Sequence, residues 1–153
     1  MIRKIAQALG MSEEGGAIAE TALTAPFLAL LIYGSVEFAR VAYAGIAVTN
    51  AARAGVSYGA QSGLTASDTN GIQWAAQNDG VNIPGMTVAT PVIGYVCSDG
   101  NAPTGTPPAC GNGAHLEETL TVATSVTMDP LVHVAGLSKT YTLSAVAVQK
   151  CLQ

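Results

Sequence analysis

Residues 12–40 read SEEGGAIAETALTAPFLALLIYGSVEFAR, and their reading decides the fold. From Ala17 to Val36 the run is nearly all apolar, and 20 residues of helix extend about 30 Å, the thickness of a bilayer's hydrocarbon core. A buried core helix of this length would need more surrounding sequence than a chain of 153 residues can supply. The run nevertheless contains Glu20 and Pro26, a carboxylate and a residue that cannot donate a backbone hydrogen bond, so the span has a task beyond anchoring.

The helical pattern continues past Val36 through EFARVAYAGIAVTNAARAGVSYGA to about Ala60. Glu37 and Arg40 stand at i,i+3, the spacing of an intrahelical ion pair. One helix of some 45 residues would reach near 70 Å, and its second half is too polar for lipid, so that half needs a partner surface. Ala51, Gly55 and Gly59 recur every fourth residue and form a face that lets another backbone approach closely. That face could meet the chain's own sheet or another subunit.

Composition is not that of a typical cytosolic enzyme. Charged residues make up 10% of the chain, against about 25% in ordinary soluble domains. Mean hydropathy is +0.37. The net charge is −4 and the six Lys and Arg are scattered, with Arg3-Lys4 the one adjacent pair, so there is no basic stripe for phosphates and no nucleic-acid partner is expected. Arg3 and Lys4 favour a cytoplasmic leader, although Glu13 and Glu14 follow them. Residues 1–15 lack the apolar core and small-residue cleavage site of a secretory signal peptide.

Beyond QSGLTASDTNG, a short second helix is expected around Ser67 to Asn78 with Trp74 as its core anchor. Asp79-Gly80 and Pro84-Gly85 mark turns. Three segments then read as strands. Met86 to Cys97 is β-branched and alternating. Thr119 to Met128 puts Leu120, Val122, Thr124, Val126 and Met128 on one face. Thr140 to Gln149 puts Tyr141, Leu143, Ala145 and Ala147 on one face. The fold class is α+β: a long N-terminal helix with a membrane-spanning first half and an amphipathic second half, a short second helix, and a small antiparallel sheet of about three strands.

Cys97 and Cys110 flank SDGNAPTGTPPA, a Gly- and Pro-rich loop. Outside the cytoplasm they read as a disulfide worth roughly 3 kcal/mol of unfolded-state entropy; in a reducing compartment they would be free thiols. Cys151 is left without a mate. No cysteine spacing fits a zinc site, SDGN does not have the spacing of an EF-hand, and Asp99-Gly100 reads as turn chemistry. His115 and His133 are the two histidines, and no nucleophile, base and orienting group share a motif, so neither an enzyme nor a cofactor is expected.

GGAIAETAL at 15–23, Pro26, YGSVEFAR at 33–40 and TNAARAGVSYGA at 49–60 together resemble the TadE-like pseudopilins of tight-adherence (Tad) pilus systems, within the type IV pilin-like superfamily. The resemblance covers the helix, and the strand-rich remainder matches only in style. It implies a leader of residues 1–15 removed by a prepilin peptidase between Gly15 and Gly16, a transmembrane half at 16–36, and a pilin-like periplasmic or extracellular domain at 37–153. Glu20 would then be the fifth residue of the mature chain. Thr21 stands where such proteins usually carry an aromatic. Other implied partners are further pilin or pseudopilin subunits and the Tad assembly platform, with the inner membrane holding the span before assembly. The implied function is that of a minor pilin or pseudopilin that joins or initiates a Tad-type pilus in adherence or secretion. The alternative is an unprocessed single-pass envelope protein whose β domain binds a ligand.

A physical case for Glu20 stands beside the resemblance. A carboxylate inside an apolar span costs up to a few kcal/mol, less at its edge, where Glu20 lies. Cleavage would create a free α-amino group at Gly16, and two unit charges 4 Å apart attract by about 4 kcal/mol at an effective dielectric of 20, before desolvation is subtracted. A glutamate resting at headgroup depth would need no such partner. Pro26 leaves the carbonyl of Ala22 without its usual helical donor, a gap that the hydroxyls of Thr21 and Thr24 could fill.

Overall fold

A computed structural model describes residues 13–111, 113–133, 136 and 138–151. Arg3, Lys4 and most of the expected leader lie outside the described residues. The elements are helix α1 (Glu13–Gly59), helices α2 (Gly63–Ser67) and α3 (Thr69–Asp79), and strands β1 (Thr87–Val88), β2 (Val92–Cys97), β3 (Leu116–Met128) and β4 (Tyr141–Lys150). The expected α+β class is the observed one. The chain separates into two compact units, residues 1–40 and residues 41–153.

In the first unit, α1 carries Pro26 inside it, and the large apolar residues Ile18, Leu23, Phe27, Leu28, Leu30, Leu31 and Ile32 are all exposed. Near its end, Arg40 Nη1 donates to Glu37 Oε2 at 3.0 Å, the i,i+3 pair expected from spacing.

In the second unit, β3 is the central strand, paired antiparallel with β4 along one edge from Thr119 to Met128. Its other edge carries both β1 and β2, because residues 119–121 and 124–125 of β3 already face β4. The sheet therefore has three columns, as expected, although four strands build it. The segment from Met86 to Cys97 is not one continuous strand, which corrects the sequence reading. From Val88 to Val92 the edge advances four residues while its partners Thr124 to Thr121 advance three. The extra residue is a bulge beside Pro91, which has no N–H for the ladder.

Alternation in the two long strands follows the expected parity. Leu120, Val122, Thr124 and Val126 are buried, and Leu143, Ala145 and Ala147 lie on the same side of β4. That face packs on α1, whose buried residues Ala44, Val48, Ala51, Ala52 and Val56 form the opposing stripe. Thr124 Oγ1 donates to the carbonyl of Val48 at 2.7 Å, a buried bond that joins the middle of the sheet to the helix. On the other face, hydroxyls pair across strands: Thr87 with Ser125 at 2.9 Å and Thr127 with Thr142 at 3.1 Å.

The short helices follow from their caps. Ser62 and Thr65 form a capping box at the start of α2. Asp68 caps α3 by accepting from the Gly71 N–H at 3.0 Å, and its other oxygen accepts from the Tyr58 hydroxyl at 2.9 Å. Both bonds favour the ionised carboxylate, so Asp68 is held below the usual carboxylate range, chiefly by Gly71 and then by Tyr58. Trp74 is not the core anchor of α3. It is 66% exposed, whereas Ile72 and Ala76 are buried. At 100° per residue, Trp74 stands nearly opposite the stripe defined by Ile72 and Ala76.

Candidate functional site

The residues singled out for processing and assembly all lie on α1. Gly15 and Gly16 are in its first turn, so in the uncleaved chain the expected scissile bond is within helix. Gly16 and Glu20 are exposed, and Glu20 is followed along its face by Leu23, Phe27 and Leu31. Around Pro26 the threonine hydroxyls do bond to backbone, but to carbonyls that precede Ala22 rather than to that of Ala22. Thr21 Oγ1 donates to the Ala17 carbonyl at 2.9 Å, and Thr24 Oγ1 lies 3.0 Å from the Glu20 carbonyl and 3.3 Å from that of Thr21. This back-bonding is the ordinary reach of a helical threonine, and it leaves the Ala22 carbonyl to other donors.

The face of Ala51, Gly55 and Gly59 belongs to the molecule's own core. A Cβ added at Gly55 would lie 3.2 Å from both Ala76 Cβ and Val122 Cγ1, and one at Gly59 would overlap Leu120 Cδ2. These small residues let β3 and α3 close on the helix. The opposite side of the same stretch is a shallow open groove lined by Ala42, Gly45, Ile46, Thr49, Asn50 and Arg53, where a Cβ at Gly45 would meet nothing.

At the far end of the sheet, Cys97 and Cys110 form a disulfide across 13 residues of sequence. Within that loop Asp99 accepts from the Asn101 backbone N–H at 3.0 Å and from its amide at 2.9 Å. The same two bonds, the backbone one foremost, hold the Asp99 carboxyl below its ordinary range. SDGN is thus a turn closed by its own side chains.

Beside this loop lies a polar cluster that the sequence reading did not assemble. Lys150 Nζ bonds Glu117 Oε2, and His115 Nε2 lies 3.5 Å from Glu117 Oε1. The cluster exists because Thr119 pairs with Lys150, which places Lys150 diagonally across from Glu117 on one face. The Lys150 hydrogen bond is the main reason that the Glu117 carboxyl is held low, against a smaller opposing effect of burial. Cys151 follows, with its N–H donated to the Glu118 carbonyl at 2.9 Å. Its thiol is free, and burial, then the charge of Glu118, pushes its pKa up. A parity count on β3 and β4 could have found this pair, but only with the strand register in hand.

Among the described residues, one helix is long and apolar enough to cross a membrane, and it is α1. Residues 15–57 match the family model described as TadE-like protein, a match that begins at the paired glycines and ends near the close of the helix. No curated protein and no solved structure matches the chain.

Proposed function

With a TadE-like N-terminal helix as premise, we propose that this chain is a minor pilin or pseudopilin of a Tad-type pilus, processed between Gly15 and Gly16 and acting by assembly rather than catalysis. The supporting observation is the division of labour along α1. From Ala44 to Gly59 its inner face is filled by β3 and α3, while the apolar residues from Ile18 to Ile32 are exposed. An all-round apolar helix needs a cover other than water, first lipid and then the helices of neighbouring subunits.

In this reading a prepilin peptidase removes the leader, Glu20 pairs with the new α-amino group of its own or an adjacent chain, and Pro26 loosens the helix as it leaves the inner membrane for the filament. The domain carrying the disulfide lies on the periplasmic side and reaches the cell exterior with the pilus. The Tad assembly platform and other pilin subunits are the partners.

Mass spectrometry of the amino terminus in the native host tests the reading. Gly16 as first residue is the expected result; an intact leader on the assembled protein would favour a permanently anchored envelope protein with a ligand-binding domain. In the same host, Glu20→Ala should reduce incorporation into the pilus, and unchanged incorporation would remove the charge-pairing step.

A further inference from the structure

Strand β3 ends and β4 begins at the end of the second unit where the chain enters it. Met128 and Leu143, near those strand ends, pack on the cluster of Ala44, Val48, Ile83 and Val126. Leu120, Val122 and Ala147 pack instead around Val56 and Ile72, farther along α1. Past Met128 the chain presents Leu131 and Val132, adjacent aliphatic residues 52% and 51% exposed. Lys139, between the same two strands, is exposed. Tyr43, next to Ala44 on α1, is 58% exposed. An aliphatic pair with a lysine and a tyrosine nearby is the side-chain set that suits a lipid headgroup layer, where rings and ammonium groups stay wet while aliphatic carbon is buried.

The covalent chain limits how far this end can lie from lipid. The apolar run ends at Val36 and the second unit begins at Val41. Five residues reach about 7.5 Å as helix and at most about 17 Å fully extended. The headgroup layer beyond the hydrocarbon is itself roughly 5–8 Å deep on each side. A contact held this near by a tether needs little intrinsic affinity, because the tether supplies a high effective concentration.

We propose that Leu131 and Val132 insert into the headgroup layer of the bilayer that holds the span, giving the subunit a second membrane contact before assembly. The inference rests on the reading of residues 17–36 as a membrane span. Release into a filament then breaks two contacts, the span and this loop.

Tryptophan fluorescence of the full chain in vesicles of phosphatidylethanolamine and phosphatidylglycerol tests it. Trp74→Phe removes the single native tryptophan. In that background Leu131→Trp, and separately Val132→Trp, should emit to the blue of an exposed tryptophan and lose intensity when lipids carry bromine just below the headgroup. Phe27→Trp, inside the span, should be quenched by bromine placed deeper. Solvent-like, unquenched emission from positions 131 and 132 with Phe27→Trp still quenched overturns the loop contact alone. A blue shift without bromine quenching means that protein, such as a second copy, covers the loop, and also overturns it. If Phe27→Trp is unquenched as well, the span reading fails and takes the loop contact with it.

Discussion

Gly59 of α1 lies directly under Leu120 of β3, so close that a methyl group on the glycine would occupy the place of Leu120 Cδ2 and stand 2.9 Å from Ile72 Cδ1. Helix, sheet and α3 therefore meet at a point where only hydrogen fits. The consequence is a helix committed to its own domain along that stripe, which leaves only its other sides for partners.

Gly59→Ala should destabilise the second unit by about 1–3 kcal/mol, since Leu120 and Ile72 are fully buried and have no free direction in which to move. Gly55→Ala should cost less, because the nearest neighbours stand at 3.2 Å and need shift only slightly. Gly45→Ala, on the open side of the helix, should raise stability by about 0.5–1 kcal/mol, the helix-propensity gain of Ala over Gly with nothing to clash. Thermal unfolding of the three variants, followed by near-ultraviolet circular dichroism, checks the order.

Thr124→Val keeps the shape of the side chain and removes the donor to Val48. The expected loss is about 0.5–1.5 kcal/mol, the usual net worth of one hydrogen bond, with no change in fold. A loss well above this in chemical denaturation would mean that the hydroxyl fixes the sheet's position on α1 as well as bonding to it.

Removing the disulfide by a paired Cys97→Ser, Cys110→Ser exchange should lower stability by roughly 3 kcal/mol, the loop-closure value for about 15 residues. Without reductant, thiol titration of the unfolded chain should find one group, Cys151, and with reductant three. In the folded protein Cys151 should alkylate slowly at neutral pH, because its raised pKa keeps the thiolate fraction low.

Glu117 and Asp68 both have folded-state pKa values below their ordinary ones. A depressed carboxylate stabilises the fold above its unfolded value, near pH 4, and that contribution is lost as pH falls through the folded value. Lys150→Met should therefore lower the melting temperature slightly at neutral pH, and the difference from the parent should shrink below about pH 4. A difference that stays constant down to about pH 3 would place the lysine's effect in packing rather than in its charge.

The Trp74 and Pro91 corrections share a cause with the small-residue stripe. In α3 the large apolar residues Ile72 and Trp74 lie on opposite faces, either of which the sequence allows as the inward one, and only the cramped space beside Gly55 and Gly59 selects the narrower side chain. Pro91 announces a break in an edge, yet the number of residues gained at the bulge depends on the partner strand. Lys150 and Glu117 are 33 residues apart, and their meeting depends on register alone.

What the sequence by itself determined was everything set by local rules: a helix from the paired glycines to about residue 60, the inward and outward residues of β3 and β4, and the turn chemistry of the Cys97–Cys110 loop. Helical and strand periods are properties of the backbone, and 20 apolar residues in succession are legible without neighbours. Only the tertiary structure decided that Ala51, Gly55 and Gly59 pack inward, that Thr124 bonds to Val48, and which end of the sheet carries Leu131 and Val132. Those outcomes depend on which surfaces meet, and a pattern of small or apolar residues names a face without naming what fills it.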